Sequence, residues 1–77
     1  MLIGIIGAMQ EEVDSILGLL SSPKTVELGG RNFTQGTYLN IDVVVVYSRV
    51  GKASAASTAT TLINHFHVDK IVFTGVA

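Results

Sequence analysis

Apolar residues along this chain gather in short blocks, and the spacing inside each block separates strands from helices. Leu2–Ile6 is apolar apart from Gly4 and reads as a buried strand that ends in a turn at Gly7. From Gln10 to Leu20 the pattern is helical, with Met9, Val13, Ile16, Leu17 and Leu20 on one side and Leu19 at its edge. This helix is expected to stop at Ser21-Ser22-Pro23. Thr25–Leu28 and Phe33–Tyr38 are shorter strand candidates flanking a turn at Gly29-Gly30, and Asn40 marks the next turn. Ile41–Tyr47, with its unbroken run of valines, reads as a strand covered on both faces. A loop over Ser48–Lys52 leads into a second helix, Lys52–His67. Its predicted inner face is Ala55, Ala59, Leu62, Ile63 and Phe66, opposite Ser54, Ser57, Thr61, Asn64 and His65. Asp69–Thr74 reads as a last buried strand.

The predicted order is therefore β-α-β-β-β-α-β. Doubly buried strands joined through helices indicate an α/β sheet with helices on its faces. Ligands of such sheets bind at the carboxyl ends of the strands. Three ends qualify here: Gly7-Ala8-Met9, Ser48-Arg49-Val50-Gly51 and Thr74-Gly75-Val76-Ala77. All are rich in small residues, which admit a ligand close to the backbone.

Composition narrows the picture. The 77 residues allow one small domain, yet 48% are hydrophobic and only 14% charged. About 25% charge is usual, and a small free-standing body has more surface to solvate, not less. The expectation is a core section of a larger α/β domain, one that breaks off at an apolar run, "FTGVA". A net charge of −1 offers nucleic acid no basic face. The apolar runs are strand-length, too short to span a bilayer, and no basic region precedes the first, so neither membrane insertion nor a signal peptide is expected. With no cysteine there is no disulfide and no thiolate metal site, and a cytoplasmic location is expected.

Two adjacent glutamates follow the first turn, in "GAMQEEV". At about 100° per residue, Glu11 falls with Ser15 and Gly18 on the polar side, whereas Glu12 falls between Leu19 and Ile16. Glu12 thus leans toward the sheet in the first turn of the helix, beside the end of the first strand. Two readings of it stand at this point. It complements the helix dipole, worth about 0.3–1 kcal/mol, or it is an inward carboxylate placed to activate water. Other suggestive pieces fail on spacing. Gly51-Lys52 lacks both the glycine five residues earlier and the following hydroxyl of a phosphate loop, since Val46 and Ala53 stand there. Gly4–Gly7 is not a dinucleotide fingerprint, and His65 and His67, two apart on a helix, point to different faces and make no metal pair. No metal site is expected.

Taken together, "IGIIGAMQEEV" at Ile3–Val13, "SRVGKASAASTATTLI" at Ser48–Ile63 and "KIVFTGVA" at Lys70–Ala77 resemble the 5'-methylthioadenosine/S-adenosylhomocysteine nucleosidases in order and spacing. The resemblance covers essentially the whole chain but only the N-terminal portion of that family's single domain. It implies a mixed-sheet, three-layer, nucleoside phosphorylase-like fold. It also implies hydrolysis of an N-glycosidic bond: water attacks the ribose anomeric carbon while adenine departs through an oxocarbenium-like state. The family's water-activating glutamate falls on Glu12. Ala8, Met9 and Val50 match positions lining its nucleoside pocket, and Val76 and Ala77 match the strand end beneath the substrate. The implied partners are a nucleoside and water, with no cofactor. The implied setting is methionine salvage and methyl-cycle recycling, as a homodimer.

The chain departs from the family at two positions. Arg49 replaces a usual glycine, and Val76 a usual serine, which removes one hydroxyl contact. The family's proton donor to adenine and its ribose-binding glutamate lie in a C-terminal half that these residues do not include. Two rivals follow. A nucleoside phosphorylase of the same fold would need cationic or donor side chains for a phosphate dianion. Here the first loop carries two carboxylates, and Phe73 and Val76 stand where related phosphorylases place arginine and serine, leaving Arg49 as the opposing cation. The other rival is a catalytically inactive, truncated chain with an exposed sheet edge.

Overall fold

The computed structural model describes residues 1–48 and 52–74, with residues 52–55 described in backbone only. Its elements are β1 (Leu2–Gly7), α1 (Gln10–Leu17), β2 (Ser21–Leu28), β3 (Arg31–Tyr38), β4 (Ile41–Tyr47), α2 (Lys52–Asn64) and β5 (Lys70–Thr74). The predicted order β-α-β-β-β-α-β holds throughout. The strands form one mixed sheet in the order β2-β3-β4-β1-β5. β1 runs parallel to β4 and β5, while β2, β3 and β4 form an antiparallel meander.

The valine run makes β4 the centre of three layers. Side chains alternate across a strand, so Val43 and Val45 join Val13 and Leu20 beneath α1, while Val44 and Val46 join Ile6, Phe33 and Leu62 beneath α2. All four valines are buried, as their unbroken run predicts. Gly4 lets α2 sit close, since a methyl group there would stand 3.0 Å from Leu62 Cδ1. Asp69 ties the starts of β1 and β5: its N–H donates to the Leu2 carbonyl at 2.7 Å, and its Oδ2 accepts from the Leu2 N–H at 2.8 Å.

Several boundaries differ from the sequence pattern. α1 ends at Leu17, not Leu20. Leu19 and Leu20 follow in a tight turn, their N–H groups donating to the Ile16 and Leu17 carbonyls at 2.9 and 3.3 Å. Three-residue closure rotates the chain away from the helical wheel, burying Leu20 and leaving Leu19 60% exposed. Ser21-Ser22-Pro23, expected as a helix stop, begins β2 instead. β2 is an edge strand, and its register shifts between Ser21 and Lys24, where a proline without an N–H is tolerated. Arg31 and Asn32 pair across to β2, so the Gly29-Gly30 connection is a two-residue hairpin with both φ angles positive. The second hairpin, Leu39-Asn40, has the same geometry, at φ 51° and 66°. α2 ends at Asn64 rather than His67, and its inner face is rotated from the predicted one. Thr58 and Leu62 are fully buried, whereas Ile63 is 52% exposed.

β5 pairs only with β1 and forms the other edge of the sheet. Val72 and Phe73, on its two faces, are 44% and 63% exposed. Asp69–Thr74, expected as a buried strand, is therefore an edge strand with exposed apolar side chains among the described residues, because it has a neighbour on one side only. Among the described residues no helix is long and apolar enough to cross a membrane.

Candidate active site at the strand ends

The parallel strands β4, β1 and β5 end side by side, and Gly7 is where they meet. The ladder continues past the strands: the Ser48 N–H donates to the Gly7 carbonyl at 2.9 Å, and the Ala8 N–H donates to the Thr74 carbonyl at 3.3 Å. Gly7 and Thr74 are register partners, so their side-chain directions match. α1 starts directly above. Met9 is the N-cap in extended conformation, without a side-chain cap, and its carbonyl accepts from the Val13 N–H at 3.2 Å. Val13 then packs onto Gly7 so closely that a methyl group at Gly7 would overlap Val13 Cγ2.

This contact sets the rotation of α1. Glu11 is exposed, and Glu12 is partly buried, as the helical wheel predicts. Glu12 Oε1 is buried with no hydrogen-bond partner among the described residues. Thr74 Oγ1, at the end of β5, is in the same condition. Buried polar atoms are ordinarily paired, because leaving one unpaired costs about 1–3 kcal/mol. Two such atoms near the ends of adjacent parallel strands mark this end of the sheet as unfinished polar chemistry rather than packed core.

Of the other predicted site residues, Ala8, partly buried, and Met9, 48% exposed, lie between the end of β1 and the start of α1. Val50, Val76 and Ala77 lie outside the described residues, as does Arg49. The pattern placed Ser48 at a strand end but did not single out Thr58; the two are buried at the end of β4 and on α2, with their hydroxyls 3.4 Å apart. Thr58 was readable in one respect, since it lies one turn before Leu62 on the same side of the helix.

A concavity of about 650 Å³ lies beside α1, between that helix and the β2–β3 hairpin. Gln10, Asp14, Leu17, Arg31 and Tyr47 are among its walls, and Glu12 is not. Its polar groups are largely engaged with each other: Gln10 Nε2 donates to Asp14 Oδ1 at 2.9 Å, and the Thr25 and Thr34 hydroxyls are 2.9 Å apart. The strand ends, beside which the two unpaired atoms lie, are therefore the better candidate for chemistry.

Comparison with known proteins points the same way. Residues 2–77 match the family model of the phosphorylase superfamily. An aminodeoxyfutalosine nucleosidase of Helicobacter pylori is 43% identical over 76 residues, which is 97% of this chain and 33% of that protein. A 5'-methylthioadenosine/S-adenosylhomocysteine nucleosidase of Colwellia psychrerythraea is 45% identical over 74 residues, 96% of this chain and 30% of that protein. The crystal structure of the Colwellia psychrerythraea nucleosidase in complex with adenine superposes with a TM-score of 0.95 at 44% identity, covering 100% of this chain and 32% of that one. The chain thus spans about a third of the length of the relatives it matches. With its sheet order and a family match running from Leu2 to Ala77, this chain belongs to the phosphorylase superfamily.

Proposed function

We propose that these residues form the N-terminal portion of a single nucleosidase domain that hydrolyses the N-glycosidic bond of 5'-methylthioadenosine or S-adenosylhomocysteine. The observation that carries this reading is the unpaired, buried Oε1 of Glu12 beside the strand ends. In the proposed reaction Glu12 accepts a proton from water as the water oxygen bonds to the anomeric carbon. The carbon–nitrogen bond breaks, and its electron pair leaves with adenine. Protonation of adenine and binding of the ribose hydroxyls fall to residues outside these 77. The nucleoside and water are the only reactants. A homodimer, a cytoplasmic setting and a role in methionine salvage complete the proposal.

Water is favoured over phosphate by charge. Gly7, Ala8, Tyr47, Ser48 and Thr74, the described residues at the strand ends, include no cation, and the neighbouring helix turn brings Glu11 and Glu12. A phosphate dianion needs cationic or multiple hydrogen-bond donors.

The test joins the full 77-residue chain to the remaining two thirds of the Colwellia psychrerythraea nucleosidase. The fusion should release adenine from methylthioadenosine at the same rate with and without phosphate, with free sugar as co-product. A ribose-1-phosphate product would transfer the reading to the phosphorylase. Failure of Glu12→Gln to slow release would remove Glu12 from the mechanism.

A further inference from the structure

The mechanism leaves one buried group unused, the hydroxyl of Thr74. We propose that Thr74 is a positioning residue of the hydrolytic site, its hydroxyl donating to Glu12 Oε1 and so turning the other carboxylate oxygen toward the attacking water. This rests on the hydrolytic reading of Glu12 above.

The two residues converge from different elements. Thr74 lies in register with Gly7, so its side chain projects on the α1 side of the sheet. Its Oγ1 would stand 3.4 Å from a methyl group at Gly7, the same place occupied from above by Val13, the residue after Glu12. The flank of α1 facing the hairpin is identified by the cleft, which Gln10, Val13, Asp14 and Leu17 line. At about 100° per residue, Glu12 lies on the opposite flank. The sheet order places β5 on that opposite side, beyond β1. Glu12 and Thr74 therefore face the same corner.

Their chemistry is complementary. An ionised carboxylate only accepts hydrogen bonds, and a threonine hydroxyl carries one donor. Glu12 Oε1 and Thr74 Oγ1 are both buried, and neither has a partner among the described residues, so the two are not bonded to each other in this arrangement. A side-chain rotation that brings them together satisfies both, and a carboxylate with one oxygen held presents the other in a defined direction. General-base geometry depends on that direction. Glycine at position 7 lets Val13 seat there, which holds α1, and with it Glu12, down on the strand ends.

The experiment is kinetic. In the fusion described above, Thr74→Val should lower kcat by about 10- to 100-fold, as expected for a hydrogen bond to a charged group, with KM unchanged. Thr74→Ser, which keeps the hydroxyl, should restore most of the rate. In a Glu12→Gln background, Thr74→Val should cost little more, because residues acting as a unit are not additive. Equal losses with and without the Glu12 carboxylate, an unimpaired Thr74→Val enzyme, or no rescue by serine would each overturn the proposal. An unsubstituted fusion that releases no adenine would instead overturn the hydrolytic reading on which it rests.

Discussion

Val13 rests on Gly7, its Cγ2 filling the place where a side chain at that glycine would be. One contact thereby couples a strand end to the rotation of a helix, and the helix carries Glu12 one residue before Val13. Gly7 is buried with a Thr74 carbonyl bond just beyond it, so neither partner can withdraw without disturbing the sheet. Gly7→Ala is expected to push α1 outward and to destabilise the chain by about 1–3 kcal/mol, the usual cost of overpacking. Chemical denaturation measures this. In the fusion the same substitution should slow adenine release, because Glu12 moves with the helix.

Glu11 and Glu12 differ in environment although they are neighbours in sequence. Glu11 is exposed, and Glu12 buries Oε1. Glu12→Gln should reduce adenine release by about 100- to 10,000-fold, the range for a general base. Glu11→Gln should leave most of it. Steady-state kinetics on the two fusions separate them, and equal effects would indicate a shared electrostatic role rather than a specific base.

Alone, the 77-residue chain is expected to release no adenine above background and to associate. The exposed outer edge of β5, with Val72 and Phe73 at 44% and 63% exposure, can pair with another strand. Size-exclusion chromatography should show species larger than a monomer, and Phe73→Lys should shift the population toward the monomer. A monomeric unsubstituted chain would contradict this.

Leu39 adopts φ 51° at an exposed hairpin tip, a conformation costing most side chains about 1–2 kcal/mol. Asparagine tolerates it and is preferred in this turn type. Leu39→Asn should therefore raise stability by about 1 kcal/mol without changing the sheet, measured as a higher denaturation midpoint.

Much of this was legible along the chain because its strongest patterns are local. The β4 valines could be read as doubly buried because a strand alternates its faces, so four consecutive apolar residues need two covering layers. The inward lean of Glu12 followed from helical periodicity over a single turn. The length of α1 was not readable, because Leu19 and Leu20 extend the apolar pattern of a helix that has already closed into a tight turn. Ile63 misled for a related reason: periodicity marks an apolar arc, and only the sheet beneath determines which part of that arc is covered.

By itself, then, the sequence determined the element order, the doubly buried centre and the side of the helix that carries the inward carboxylate, since these depend on periodicities of two and 3.6 residues. Only the tertiary structure decided which strands lie side by side, and therefore what Glu12 meets. Thr74 is distant along the chain and looks like any strand threonine. It comes beside Gly7 because β5 pairs in parallel with β1, a register produced by long-range hydrogen bonding and burial that no local pattern contains.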